Sequence, residues 1–401
     1  FQTILQLIES GLLDVKPLIT EVVPLEEYQT IYGDMGKGSS IASLLAYPEK
    51  PSTQSTVRYQ SRSFAGQKGV IGIIGAGNFT KMTLLPALKG GVSQVNLKYI
   101  ASANGLSGTA LAQKHGIAFS TTDYKEILRD EEVDLVMITT RHNQHARLTM
   151  EALKAGKHVF VEKPLAIFEE ELEEILKTLS LTGSDRRTEG PGDGTQCGGV
   201  TVGFNRRFSP HAQKMKALLG SAPMNVIATV NAGFIPANSW VHDRAVGGGR
   251  ILGEACHFID LITYFTGSRV IAVCMNAMGI SPTETIDNAS ILLRYENGST
   301  GVINYFSNGH KSYSKERIEV YSQERTLILD NFRTLEGYGF KGFSKLKTGQ
   351  DKGHKTQFQE LIKRIQTGGE PLITLDEIVN TTQASFAAIR SLKEGQWIVV
   401  R

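Results

Sequence analysis

Six residues, Gly75-Ala76-Gly77-Asn78-Phe79-Thr80, stand directly after the apolar run GVIGIIG and directly before the helix-patterned TKMTLLPALKGG. Gly75 permits a tight turn, and Gly77 leaves room for a diphosphate to approach the main chain. The helix start then offers free N–H groups and a positive dipole end to that anion. A purely structural glycine turn would carry the same letters. At the head of a strand–helix series the motif instead points to dinucleotide binding, with Gly75, Gly77, Asn78 and Phe79 as contacts. Thr80 replaces the third glycine of the fingerprint and is expected to push the helix slightly off the strand. The next strand ends Ala101-Ser102-Ala103-Asn104, with no carboxylate for a ribose, so Ser102 and Asn104 are the candidates there. NAD and NADP both stay open, with a slight lean to NADP for want of that acid.

Glu162-Lys163-Pro164 closes HVFVEKP, at the carboxyl end of a strand, where an open α/β sheet places its ligand crevice. A lysine beside a bound nicotinamide can hydrogen-bond a substrate hydroxyl and favour its alkoxide. A surface lysine beside a turn is the plain alternative. Glu254, His257 and Asp260 recur at spacings of three after Gly247-Gly248-Gly249, along one slanting stripe of a helix. His257 can serve as acid/base, with Glu254 orienting it or touching substrate; a satisfied buried histidine fits the segment equally well. A single E-x-x-H without further ligands is poor evidence for a metal, and none is expected. Thr140, Asn143 and His145 follow the strand VDLVMITT and, with Glu162 and with Arg206 after VTVGF, complete the cofactor-binding set. Asn143, His145 and Arg206, like Asn205, Trp240, His242 and Asp243, are the weaker candidates, since each could as easily cap a helix or make a surface ion pair.

These residues need a frame, and 401 residues allow two or three domains. Apolar content of 41% and charged content of 21% exclude disordered, collagen-like and coiled-coil classes. A net charge of +3 gives no reason to expect nucleic acid or an anionic membrane as partner. Cys197, Cys256 and Cys274 lie too far apart for a disulfide framework or a zinc spacing, and a cytoplasmic protein is the default. Residues 1–47 read as a small unit: one helix with Phe1, Ile4, Leu5 and Ile8 on a face, a strand in DVKPLITEVV, and a second helix in PLEEYQTIYGDM. So little core must pack on something else. Residues 48–67 read as a linker. Residues 68–206 alternate short apolar strands with helices, the pattern of a parallel sheet buried on both faces, interrupted by GSDRRTEGPGDGTQCGG, a surface loop. Residues 207–401 add strands with hairpin turns such as Glu296-Asn297-Gly298, hence an antiparallel sheet, and two closing helices. The fold class is α/β, a doubly wound parallel sheet plus an α+β domain with a large open antiparallel sheet.

GAGNFT, TTRHNQHARLTMEALKAGKHVFVEKPL, GFNRRF and GGGRILGEACHFID, in that order, closely resemble the Gfo/Idh/MocA oxidoreductases, from about Lys68 to the C-terminus. The resemblance implies a Rossmann domain, a C-terminal domain whose open sheet makes oligomer contacts, and reversible hydride transfer between NAD or NADP and a carbon of a sugar, cyclitol or nucleotide sugar. A homo-oligomer, dimer or tetramer, follows as an expectation. By the same likeness Lys163 takes the position of the catalytic lysine and His257 that of the catalytic histidine. Many members carry Asp four residues before that histidine, where Gly253 stands here, and Glu254 lies one place along. LIESGLLDVKPLITEVVPLEEYQTIYGDM is similar to the last segment of a zinc-type medium-chain alcohol dehydrogenase. Such a domain joined to a Gfo/Idh/MocA domain is associated with surface-polysaccharide synthesis, and a chain opening on Phe1 is expected to be the C-terminal portion of such a protein. Gly253 and Thr80 also leave open a catalytically silent dinucleotide-binding sensor or assembly subunit, and a transferase with tightly held nicotinamide.

Overall fold

Val70 to Ile74 are buried at every position, as a strand covered on both faces requires. The computed structural model describes residues 1–28, 31, 40–47, 54–91, 95–183 and 199–400. It divides into units 1–55 and 56–401.

The first unit holds helix α1 (Gln2–Glu9) and strands β1 (Ile19–Pro24) and β2 (Ala42–Ala46), paired in parallel. No residue of α1 is buried, and Ile4, Leu5, Leu7 and Ile8 are exposed. Of the helix expected in PLEEYQTIYGDM, Leu25–Glu27 form a 3-10 turn and most of the rest lies outside the described residues. The loop expected in GSDRRTEGPGDGTQCGG lies almost wholly outside them too.

In the second unit a seven-stranded sheet carries β3 (Thr56–Arg58), β4 (Val70–Ile74), β5 (Asn96–Ala101), β6 (Phe119–Thr121), β7 (Leu135–Ile138), β8 (His158–Val161) and β9 (Val200–Val202). Its order is β3-β6-β5-β4-β7-β8-β9, parallel except for β3. Thr56–Arg58 falls within the stretch read as linker, and β6 was not anticipated; three residues are too few to show a period. The chain reverses its direction of growth between β4 and β7, which opens a crevice at their carboxyl ends. Helices α2 (Leu85–Gly91), α3 (Leu106–His115), α4 (Lys125–Arg129), α5 (His145–Lys154) and α6 (Glu169–Thr182) connect the strands.

A nine-stranded sheet follows: β10 (Asn225–Asn231), β11 (Val270–Ala277), β12 (Asn288–Tyr295), β13 (Thr300–Phe306), β14 (Glu316–Ser322), β15 (Arg325–Asp330), β16 (Thr334–Tyr338), β17 (Lys345–Lys347) and β18 (Ile398–Val399). It is antiparallel except where β10 lies parallel to β13. Alternation along β13, with Gly301, Ile303 and Tyr305 buried, gives the sheet one packed and one open face. Helices α7 (Pro210–Leu218), α8 (Cys256–Thr266), α9 (His354–Thr367) and α10 (Leu375–Glu394) complete the unit. α9 departs from the order of the sequence. Its Phe358, Leu361, Ile362 and Ile365 fill the core of the first sheet beside Ile71, Ile73 and Leu84, with Phe358 edge-on to Phe160 at 5.2 Å. An apolar helical face states that it must be covered, not by which neighbour. Among the described residues no helix is long and apolar enough to cross a membrane.

Candidate functional site

The carboxyl ends of β4, β5, β7 and β8 enclose a crevice of about 1160 Å³. Its floor is the turn after β4. Gly75 has φ +117°, and a β-carbon there would sit 2.8 Å from the main chain of Thr139. At Gly77 a β-carbon would meet nothing within 4 Å, so the main chain stands bare toward the crevice. Those are the two glycine roles that a diphosphate site needs. Thr80 does not behave as expected. It is fully buried, its hydroxyl donates to the Gly75 carbonyl at 2.8 Å and it lies 2.7 Å from the Thr139 hydroxyl. The side chain thus ties the turn to β7, and the first helical turn, Thr80–Leu84, is π-helical, wide enough to accommodate it.

Gly75→Ala should therefore lose dinucleotide affinity by at least about tenfold, because the turn cannot close over its own methyl group. The same strain should lower the melting temperature by several degrees, at roughly 2–4 °C per kcal/mol. NADH fluorescence titration and thermal melts check both.

Gly77, Asn78, Phe79, Ser102, Asn104, Thr140, Asn143, His145, Glu162 and Lys163 all line this crevice with Gly75. Lys163 stands just past β8 and donates from Nζ to the Gly253 carbonyl at 2.5 Å. Glu162 packs against Gly203, and burial pushes its pKa up to about 7 although Lys163 and Arg206 pull it down. His145 lines the wall, but its nitrogens face the carbonyls of Pro164 (2.8 Å) and Thr140 (3.2 Å). Burial lowers its pKa to about 4, so the neutral ring donates its single N–H to one of these carbonyls and braces the strand ends.

Arg206 is not where a cofactor contact belongs. It makes a bidentate pair with the buried Glu316 (2.9 and 3.0 Å) and lies over the ring of Phe258 at 4.9 Å. A guanidinium after an apolar strand satisfies a buried carboxylate as readily as a phosphate, and the sequence does not show which is present.

The helix with Glu254 and His257 reaches the crevice-lining Lys163 through the Gly253 carbonyl, but neither Glu254 nor His257 is itself among the lining residues. Its first turn, Ile251–Ala255, is also π-helical, so Glu254 leaves the ideal stripe, while His257 and Asp260 keep their spacing on the α-helix that follows. Asp260 turns instead to the buried Arg207 at 2.7 Å. Glu254 accepts from the Tyr305 hydroxyl at 2.5 Å and from Arg250 at 3.4 Å. Burial opposes its ionisation, but Lys163, Arg250 and Tyr305 together hold its pKa below the usual carboxylate range. His257 is buried edge-on to Phe204 at 6.4 Å, and its Nδ1 has no partner among the described residues. Burial, then Arg206 and Lys163, drive its pKa far down, so the imidazole is neutral. Of the weaker candidates, Trp240 lines the crevice, and Asn205 is tied to the Lys352 carbonyl at 2.7 Å.

His142, not singled out from the sequence, also lines the wall and meets Trp240 edge-on at 4.9 Å. Its signal is its place after β7, among Thr140, Asn143 and His145. Among the described residues no group of three His, Cys, Asp or Glu side chains is placed to hold a metal ion.

Two family descriptions match this frame: an oxidoreductase family with an NAD-binding Rossmann fold, over residues 70–184, and the GFO/IDH/MocA C-terminal domain, over 222–328. An uncharacterized oxidoreductase, YrbE of Bacillus subtilis, is 28% identical over 66% of this chain and 74% of its own length. The myo-inositol 2-dehydrogenase of Thermotoga maritima is 26% identical over 71% of this chain and 85% of its own. The structure of a levoglucosan dehydrogenase in complex with NADH and levoglucosan superposes with a TM-score of 0.68 at 22% identity, covering 82% of this chain and 98% of that one. With a Rossmann half and a matching C-terminal half both present, the chain belongs to the Gfo/Idh/MocA family of NAD-binding oxidoreductases.

Proposed function

We propose that this protein oxidises or reduces a hydroxyl-bearing carbon of a sugar, cyclitol or nucleotide sugar, with NAD or NADP as redox partner. One observation carries the reading: the amine of Lys163 and the bare main chain at Gly77 line one crevice. The relatives support it, since their names specify inositol and levoglucosan dehydrogenation. When bound, the nicotinamide supplies or accepts a hydride at its C4.

The chain's own residues do the rest. Gly75, Gly77 and Asn78 hold the diphosphate end, with Ser102 and Asn104 at the ribose and Thr140, Asn143 and Glu162 along the wall toward Lys163. Lys163, aimed by the Gly253 carbonyl, donates to the reacting oxygen and lowers the cost of its alkoxide character. His257, neutral and unpartnered at Nδ1, exchanges the proton. Glu254, fixed by Tyr305 and Arg250, balances the charge at Lys163 and orients the pair.

The finer readings rest on resemblance. Residues 1–47 are the end of a medium-chain alcohol dehydrogenase-type domain, which fits a role in surface-polysaccharide synthesis in the cytoplasm. The open face of the nine-stranded sheet, with Leu292, Phe306 and Tyr321 exposed, makes the homo-oligomer contact.

A panel of myo-inositol, levoglucosan and UDP-glucose, each with NAD or NADP, tests the reading by absorbance at about 340 nm, where reduced nicotinamides absorb through the electron-rich dihydropyridine ring that hydride transfer creates. Reduction with at least one member is expected. Tight NADH binding with no turnover on a broad polyol and sugar-nucleotide set contradicts the reading and favours a silent sensor.

A further inference from the structure

Gly253 is bare because a neighbour fills its space. A β-carbon there would lie 2.8 Å from Cε1 and 3.3 Å from Nδ1 of His142. That ring cannot easily step aside, since its Nδ1 is 2.7 Å from the Gly247 carbonyl and Trp240 packs edge-on against it. A carbonyl only accepts, so Nδ1 carries the ring proton and Nε2 keeps a lone pair. Nε2 makes no hydrogen bond within the described residues and is not sealed from solvent, while the ring lines the same crevice as Lys163. On its other side Gly253 receives the Lys163 amine through its carbonyl. A donor and an acceptor are therefore mounted around one residue, one from the end of β8 and one from the loop after β7.

Resting on the dehydrogenase reading above, we propose that His142 Nε2 accepts a hydrogen bond from a second hydroxyl of the substrate, next to the oxygen that Lys163 engages. His142 is then a specificity residue: it favours substrates with two neighbouring hydroxyls and disfavours those lacking the second, because an unmet buried acceptor costs affinity. Burial and Lys163 push its pKa down to about 3, so the ring stays an acceptor across ordinary assay conditions. The absence of a side chain at 253 is what lets the ring stand there.

The test is calorimetric titration of NADH-saturated protein with myo-inositol, levoglucosan and UDP-glucose. His142→Phe keeps the ring packed on Trp240 but removes both nitrogens, and should weaken binding of the best ligand about tenfold with NADH affinity unchanged. Gly253→Ala should displace the ring and give a similar loss. The double variant should be no weaker than His142→Phe alone, since both changes remove one interaction. Unchanged ligand affinity in His142→Phe, an equal loss of NADH affinity, or fully additive losses would overturn the assignment. If Lys163→Ala then still abolishes turnover, the proposed function stands without it. Binding of none of the three ligands by the wild-type protein would overturn both.

Discussion

Lys163→Ala should lower kcat/KM by roughly a thousandfold while NADH affinity stays within about twofold. The amine lines the crevice from the carboxyl end of β8, and its one hydrogen bond within the described residues goes to the Gly253 carbonyl. Among the described residues Lys163 makes no direct ion pair, although its charge helps hold Glu254 ionised. In the proposed mechanism, truncation removes a donor and a positive charge from the oxygen on which negative charge develops. Because that charge is greatest in the transition state, the loss should fall on kcat more than on KM. Lys163→Arg should recover only part of it, since the planar fork cannot take the position of the amine. Steady-state kinetics with an NADH titration on the same preparations separates the two effects. A variant that binds NADH poorly would mean that the lysine holds the cofactor instead.

Glu316→Ala should be strongly destabilising. Glu316 is fully buried on β14 and takes both Arg206 (2.9 and 3.0 Å) and Lys352 (2.6 Å). Its removal leaves two cations without their ion-pair partner in the interior, a loss of about 3–5 kcal/mol. Thermal melts should show a drop on the order of 10 °C. The same cluster makes a prediction about acid. Burial alone would raise the pKa of Glu316, but Arg206 and Lys352 overcome it and hold the pKa at about 2, against 4.5 ordinarily. A carboxyl depressed by folding contributes its stability fully above its unfolded pKa and loses it as pH falls through the folded one. Wild-type stability should thus decline from about pH 4.5 toward 2 more steeply than that of Glu316→Ala. Parallel acid curves for the two proteins would show that the cluster is not ionised as described.

How far the sequence reached depends on whether the information is local. The glycine turn, the strand that precedes it and Lys163 at a strand end are local, because a period of burial and a turn conformation are written in consecutive residues. The Rossmann half was legible for that reason, and with it Gly75, Gly77, Asn78 and Lys163 on one crevice. Arg206 was misread because its partner, Glu316, is more than a hundred residues away. The stripe Glu254–His257–Asp260 assumes an ideal helix throughout, and a π-helical turn displaces its Glu254 end. β3 and β6 were too short to show a period, and helix α9 gave its apolar face without naming the sheet it covers. His142 and His145 look alike in sequence; in the fold both nitrogens of His145 face carbonyls, whereas His142 bonds one carbonyl through Nδ1 and packs on Trp240.

The most direct test of the central claim is a crystal structure with NADH and the substrate found by the panel. Density for the diphosphate against the main chain of Gly77 and Asn78, with the nicotinamide end and a substrate oxygen both beside the Lys163 amine, is the expected result. A diphosphate bound away from that turn, or a substrate oxygen out of hydrogen-bond reach of Lys163, would contradict it.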